Sequence, residues 1–181
     1  MNQVLRLLVR RRLSDSGYTL LELLVIVIML GILMAITAPG WLGFLERQRV
    51  SAVRDNAVEG IRQAQNRARQ TNAEWQYSIR EGGDGYLEWA VHPSSSAPTN
   101  WTPLRYDSVL IDTSDTTLAG TGYYYIRFDF KGNLDSSLAT LTFTSDRNTG
   151  LKRCVIASTL LGHFRLGEEH TDANSNGRYC Y

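Results

Sequence analysis

The 181-residue chain has little of what usually announces a chemistry. Two Cys exclude a disulfide-dense scaffold and any Cys-rich zinc module. Charge of one sign is not in excess: 19 Lys and Arg stand against 18 Asp and Glu, which excludes a strongly basic DNA packer. With 43% hydrophobic residues the chain is not disordered, and a mean hydropathy of -0.23 excludes a polytopic membrane protein. His92, His163 and His170 show no metal spacing with one another or with a Cys, so they read as structural or solvated. There is no Gly-rich phosphate loop, no nucleophile elbow, no internal repeat and no low-complexity tract. Nothing here points to an enzyme, and any ATP-driven step needs a separate motor.

What the chain does have is unevenly placed. Residues 1–17 contain Arg6, Arg10, Arg11 and Arg12 against the single acid Asp15. From Tyr18 to Leu45 the sequence then runs YTLLELLVIVIMLGILMAITAPGWLGFL, with Glu22 its only charge. At about 1.5 Å per residue, a helix of that length crosses a bilayer core of roughly 30 Å. The preceding arginines hold the N-terminus in the cytoplasm and send everything after Leu45 outward. A cleaved secretory signal fits poorly, because Glu22 interrupts the apolar run, Ile36 is bulky and Pro39 directly follows Ala38. A plain anchor accounts for the length but not for the acid, which costs about 2.5–3.5 kcal/mol at a bilayer centre.

The hexapeptide Gly17-Tyr18-Thr19-Leu20-Leu21-Glu22, after a short basic leader, resembles the class III signal of type IV pilins and type II secretion pseudopilins. The resemblance implies that a prepilin peptidase cuts between Gly17 and Tyr18 and that Tyr18 becomes the methylated N-terminus. It makes Glu22 the assembly residue and Pro39 the helix-kinking proline, with Gly31 matching a common glycine. Tyr18 stands where the family usually has Phe. Electrostatics agrees with this assignment. A cut at Gly17 creates a positive amine, and Glu22 of an incoming subunit neutralises that amine on its neighbour, which sets the axial register.

Beyond Pro39 the helical period continues through Val53, Ala57, Ile61, Ala64 and Ala68. A helix from Tyr18 to about Thr71 is on the order of 80 Å long. Its first half is apolar all round, and its second half has one apolar face on which a domain can dock. Pro39, with Gly40 and Gly43 nearby, is the expected place for a kink or local melting. Strands are expected from Trp75 to Ile79 and near 86–92, 104–112, 123–130, 139–145, 151–158 and 162–166. Residues 93–103 hold three of the four prolines and read as a loop, and Asp146–Gly150 reads as a hairpin turn. The predicted class is α+β: a long N-terminal helix, transmembrane in its first half, packed on an antiparallel β-rich head. The expected organisation is a leader (1–17), a transmembrane assembly helix (18–45), its amphipathic continuation (46–72) and the head (73–181).

Phe128-Asp129-Phe130-Lys131-Gly132, with Arg153-Cys154-Val155-Ile156 and Gly162, resembles the head of the GspH/FimT group of minor pilins and pseudopilins. Some members of that group bind DNA through a Gly-Arg-x-Arg element. The matching residues here are Gly162-His163-Phe164-Arg165, with His in place of the first Arg, and Arg178 is the one further cation nearby. The acids Glu168, Glu169 and Asp172 lie between them, so DNA is a disfavoured partner. Residues 46–69 carry six Arg against three acids, a face better suited to neighbouring subunits or solvent.

Asp172, Asn174 and Asn176 lie in a stretch that resembles the first half of a calcium loop, but a turn leading to Cys180 is the preferred reading. No cofactor is expected otherwise. Cys154 and Cys180 both fall outside the cytoplasm, where disulfides persist, with two free thiols as the alternative. A bridge would stabilise by about 3 kcal/mol in the chain-entropy model.

The expected function is therefore structural: a minor pilin or pseudopilin of a type IV pilus or a type II secretion pseudopilus. Its partners would be the prepilin peptidase, other pilin or pseudopilin subunits, and an inner-membrane assembly platform with its own ATPase. Its place would be the bacterial inner membrane, then the filament. The alternatives are a DNA-binding minor pilin for DNA uptake and a membrane-anchored head that never polymerises.

Overall fold

A computed structural model describes residues 17–135 and 138–181. Helix α1 (Leu20–Thr71) is followed by β1 (Trp75–Glu81), β2 (Leu87–Pro93), β3 (Thr102–Leu104) and β4 (Val109–Ile111). Then come β5 (Tyr124–Phe128), β6 (Thr140–Ser145), β7 (Lys152–Ala157) and β8 (Phe164–Glu168). The strands form two four-stranded antiparallel sheets, ordered β3-β2-β1-β5 and β4-β6-β7-β8. The α+β expectation is met. The chain divides into two compact units, Met1–Leu42 and Gly43–Tyr181, and α1 begins in the first and ends in the second.

In the first unit the large apolar side chains from Leu20 to Ile36 are all exposed. The helix is long and apolar enough, by length and composition, to cross a membrane. Thr37 returns its hydroxyl to the Leu33 carbonyl at 3.1 Å, which satisfies that polar group within the helix. Helix α1 runs uninterrupted through Pro39, Gly40 and Gly43, so the melting expected there does not occur. Residues 1–16 of the expected leader, with its four arginines, lie outside the described residues.

In the second unit the predicted stripe is real. Val53, Ala57, Ile61, Ala64 and Ala68 are fully buried, and Val50, not part of the expected stripe, extends it toward the N-terminus. They share one core with Tyr77, Ile79, Ile126 and Phe128 of the first sheet and Leu141, Phe143 and Val155 of the second. Gly60 permits the close approach, because a Cβ there would lie 2.5 Å from the Tyr77 ring. Glu46 pins the other end of this helix segment. Its carboxylate accepts from Ser145 Oγ, Arg147 Nη1 and Arg49 Nη1, all at 3.1 Å.

Two strand expectations need correction. Residues 104–112 do not form one strand; β3 pairs with β2 in the first sheet and β4 with β6 in the second. Pro103, opposite Glu88, has no N–H to donate and is tolerated only because β3 is an edge. The chain changes sheets through residues 105–108, with Ser108 at a φ of 68°. The loop expected over 93–103 loses Pro93 to β2 and its last two residues to β3. The last strand starts at Phe164 rather than at 162, because Gly162, at a φ of 80°, belongs to the preceding turn. The Asp146–Gly150 turn joins β6 to β7 as expected, closed by Asn148, which accepts from the Leu151 and Gly150 amides.

The two head motifs meet in space. Asp129 Oδ1 accepts from the amides of Lys131 and Asn133, folding a tight turn in which Gly132 has a φ of 79°. Gln65 of α1 holds this turn and the Gly162 turn together, and Arg69 Nε donates to the Lys131 carbonyl at 3.1 Å.

Candidate functional site

Two regions hold the residues singled out from sequence. The first is the start of α1. Gly17, Tyr18 and Thr19 precede the helix, and all three are exposed. Thr19 Oγ1 accepts from the Glu22 amide at 3.2 Å, and the Thr19 carbonyl accepts from Leu23. Thr19 is therefore the N-cap and Glu22 the third helical residue, the T-x-x-E spacing of a capping box. That spacing was legible in the sequence, and it gives Glu22 a local role the charge argument did not include. A carboxylate in the first turn also opposes the positive end of the helix dipole.

The second region is the C-terminal tail, which covers the outer face of the second sheet. The six residues of β6 are all buried, and Arg178 of the tail donates to Thr140 Oγ1 of that strand. Cys154 and Cys180 form a disulfide with their Cα atoms 6.1 Å apart, closing the tail onto β7. Gly167 of β8 lies opposite Cys154 in the register, and a Cβ there would come within 2.7 Å of the Cys154 sulfur. Glycine at that position makes room for the bridge. The tail then pairs back on itself through Glu169 and Cys180, and Tyr181 stacks on His170 with ring centroids 3.7 Å apart.

A half-buried ion cluster fastens the same tail. Lys152 Nζ lies 2.6 Å from Asp112 Oδ2 and 2.8 Å from Asp115 Oδ2, and the Tyr179 amide donates to the Asp115 carboxylate at 3.3 Å. Burial is the strongest single influence on Asp112 and by itself raises its carboxyl. Hydrogen bonds from Lys152 and Ser114 outweigh it and hold that carboxyl below its ordinary range. Burial likewise acts to lower Lys152, yet hydrogen bonds to Asp112 and Asp115 prevail and push its ammonium up. These residues were not singled out in the sequence, since 37 residues separate Lys152 from Asp115.

The stretch read as half a calcium loop is a turn. Asn174 Oδ1 accepts from the amides of Asn176 and Arg178 at 2.9 and 3.1 Å, and Gly177 has a φ of 73°. Asp172 is exposed, with its backbone carbonyl taking the Tyr181 hydroxyl. Among the described residues no three of His, Cys, Asp or Glu are grouped to hold a metal. His92 is buried against Ser78 Oγ at 3.0 Å and the Pro93 carbonyl at 2.9 Å, a structural histidine as expected. His163 and His170 are exposed.

Arg165 and Arg178, named separately along the chain, line one cavity of about 550 Å³ between β8 and the tail. His163, the substituted position of the Gly-Arg-x-Arg element, does not line it. Neither do Glu168, Glu169 or Asp172. No protein-family model, curated protein or solved structure matches the chain.

Proposed function

We propose that this chain is a structural subunit of the pilin and pseudopilin kind, cut after Gly17 and assembled through α1 into a type IV pilus or a type II secretion pseudopilus. One observation carries the reading. A single continuous helix changes character along its length, from apolar all round between Leu20 and Ile36 to a one-faced stripe sealed into the head. Residues whose apolar surface has no intramolecular partner need a bilayer or neighbouring helices. A filament subunit meets both in turn, first as a membrane protein and then packed among its copies. The non-helical Gly17–Thr19 stretch suits proteolysis, and Glu22 one turn further on suits pairing with the amine that cleavage creates.

The test is co-expression with a prepilin peptidase, followed by N-terminal mass analysis and recovery of sheared filaments. Wild type is expected to begin at a methylated Tyr18 and to enter filaments. Glu22→Ala is expected to be processed but absent from them. An unprocessed wild-type chain in a peptidase-containing host would instead favour a plain anchored head.

A further inference from the structure

The cavity under the C-terminal tail has a built character that a structural spine does not require. Its size lies within the range of small-molecule pockets, roughly 300–1,000 Å³. Arg165 lines it from β8 and Arg178 from the tail, and among the described residues no Asp or Glu side chain lines the space. Among the described residues neither guanidinium has an ion-pair partner. Two cationic side chains lining one concave surface raise the local positive potential and favour an anion there.

The two arginines are held differently. Arg178 Nη1 donates to Thr140 Oγ1 at 2.9 Å, its backbone amide and carbonyl both bond Asn174, and the Cys180 disulfide lies two residues on. That guanidinium is preorganised, so little freedom is lost when a ligand arrives. Arg165 is exposed, and its guanidinium has no side-chain hydrogen bond or ion pair among the described residues. The Asn176 carboxamide offers both a donor and an acceptor, and Ile156 with Leu138 supplies an apolar strip.

We infer that the cavity binds an acidic saccharide residue. Its carboxylate would lie in the fork of Arg165 and Arg178, its hydroxyls on Asn176, and the C–H face of its ring on Ile156 and Leu138. Guanidinium forks match carboxylates in bidentate geometry. A nucleic-acid backbone offers the same charge but a different geometry. Its affinity grows with the number of phosphates contacted, and two cations inside a cavity reach too few. The inference is independent of the filament reading, because it concerns only the head.

The test is titration calorimetry on the full chain in detergent with digalacturonate, sialyllactose, neutral digalactose and a short DNA duplex. At least one acidic sugar is expected to bind and the neutral sugar not to. Arg165→Gln and Arg178→Gln are expected to weaken that binding about tenfold each, the loss of one charge-assisted hydrogen bond. Arg165→Gln should leave the melting temperature unchanged, which separates lost contact from lost fold. Reduction of the disulfide should weaken binding too, since it frees the tail that carries Arg178. Absence of binding by both acidic sugars overturns the inference, as does unaltered affinity in Arg165→Gln. Tighter binding of the DNA duplex through the same two arginines also overturns it and assigns the site to phosphodiesters.

Discussion

Gln65 Nε2 donates to the Gly132 carbonyl at 2.8 Å, and the same nitrogen lies 3.2 Å from the Gly162 carbonyl. One helix side chain thus clamps two left-handed turns that are 30 residues apart along the chain. Both turns tolerate only glycine comfortably, but for different neighbours. A Cβ on Gly132 would meet the flexible Arg69 side chain, whereas one on Gly162 would come within 2.9 Å of the Gly132 backbone oxygen and crowd Gln65. Gly162→Ala is expected to destabilise the head more than Gly132→Ala, each by at least about 1 kcal/mol from the positive φ alone. Gln65→Ala should cost about 1–3 kcal/mol, because it leaves two carbonyls poorly satisfied. Thermal denaturation of the three variants checks the order.

Tyr77 is fully buried, and its hydroxyl has no hydrogen-bond partner among the described residues. Burial pushes that hydroxyl's ionisation far up, so it stays neutral. Tyr77→Phe removes the unsatisfied group at constant ring packing and is expected to stabilise by about 1 kcal/mol. Gly60→Ala does the reverse. It gains about 1 kcal/mol of helix propensity but overpacks the same ring, at a cost of about 1–3 kcal/mol. Denaturant midpoints of the two variants should therefore move in opposite directions.

The Lys152 cluster ties stability to pH at both ends. Asp112 has a lowered folded pKa, so its contribution is present above the ordinary carboxylate range and is lost as pH falls through the lowered value. Lys152 is raised, so its contribution is present below the ordinary lysine range and is lost as pH rises through the raised value. Lys152→Met strands the buried Asp115 carboxylate and the half-buried Asp112 and is expected to cost about 3 kcal/mol at neutral pH. It should also reverse the acid limb. Wild type loses stability on acidification below about pH 4, whereas the variant recovers part of its deficit as those carboxylates protonate. Melting temperatures across the acid range decide it, and parallel curves would rule out the pairing as the cause.

Glu22 carries two roles that one pair of variants separates. Glu22→Gln keeps the capping spacing with Thr19 and removes the charge, while Thr19→Ala removes the cap at about 1 kcal/mol and keeps the charge. If charge pairing drives assembly, Glu22→Gln is lost from sheared filaments and Thr19→Ala is largely retained. The opposite pattern would make the helix cap the essential feature. Processing after Gly17 serves as the control in both.

Features read from neighbours in the chain were legible before any coordinates. The Val53–Ala68 stripe, the Asp146–Gly150 turn and the apolar run from Leu20 depend on periodicity and local turn chemistry, which a single segment carries by itself. The candidate cleavage residues Gly17 and Tyr18 and the candidate assembly residue Glu22 were likewise readable from the chain alone, because the resemblance that suggests them lies within six positions. Only the tertiary structure decided what depends on a distant partner. Pro103 is acceptable because β3 is an edge, and that is a property of the sheet rather than of residues 102–104. Gly167 is needed because Cys154 stands opposite it. Lys152 finds Asp112 and Asp115, and Arg165 finds Arg178, through strand pairing and a disulfide that no local pattern encodes. Periodicity places a side chain on a face; only the packed fold decides what that face meets.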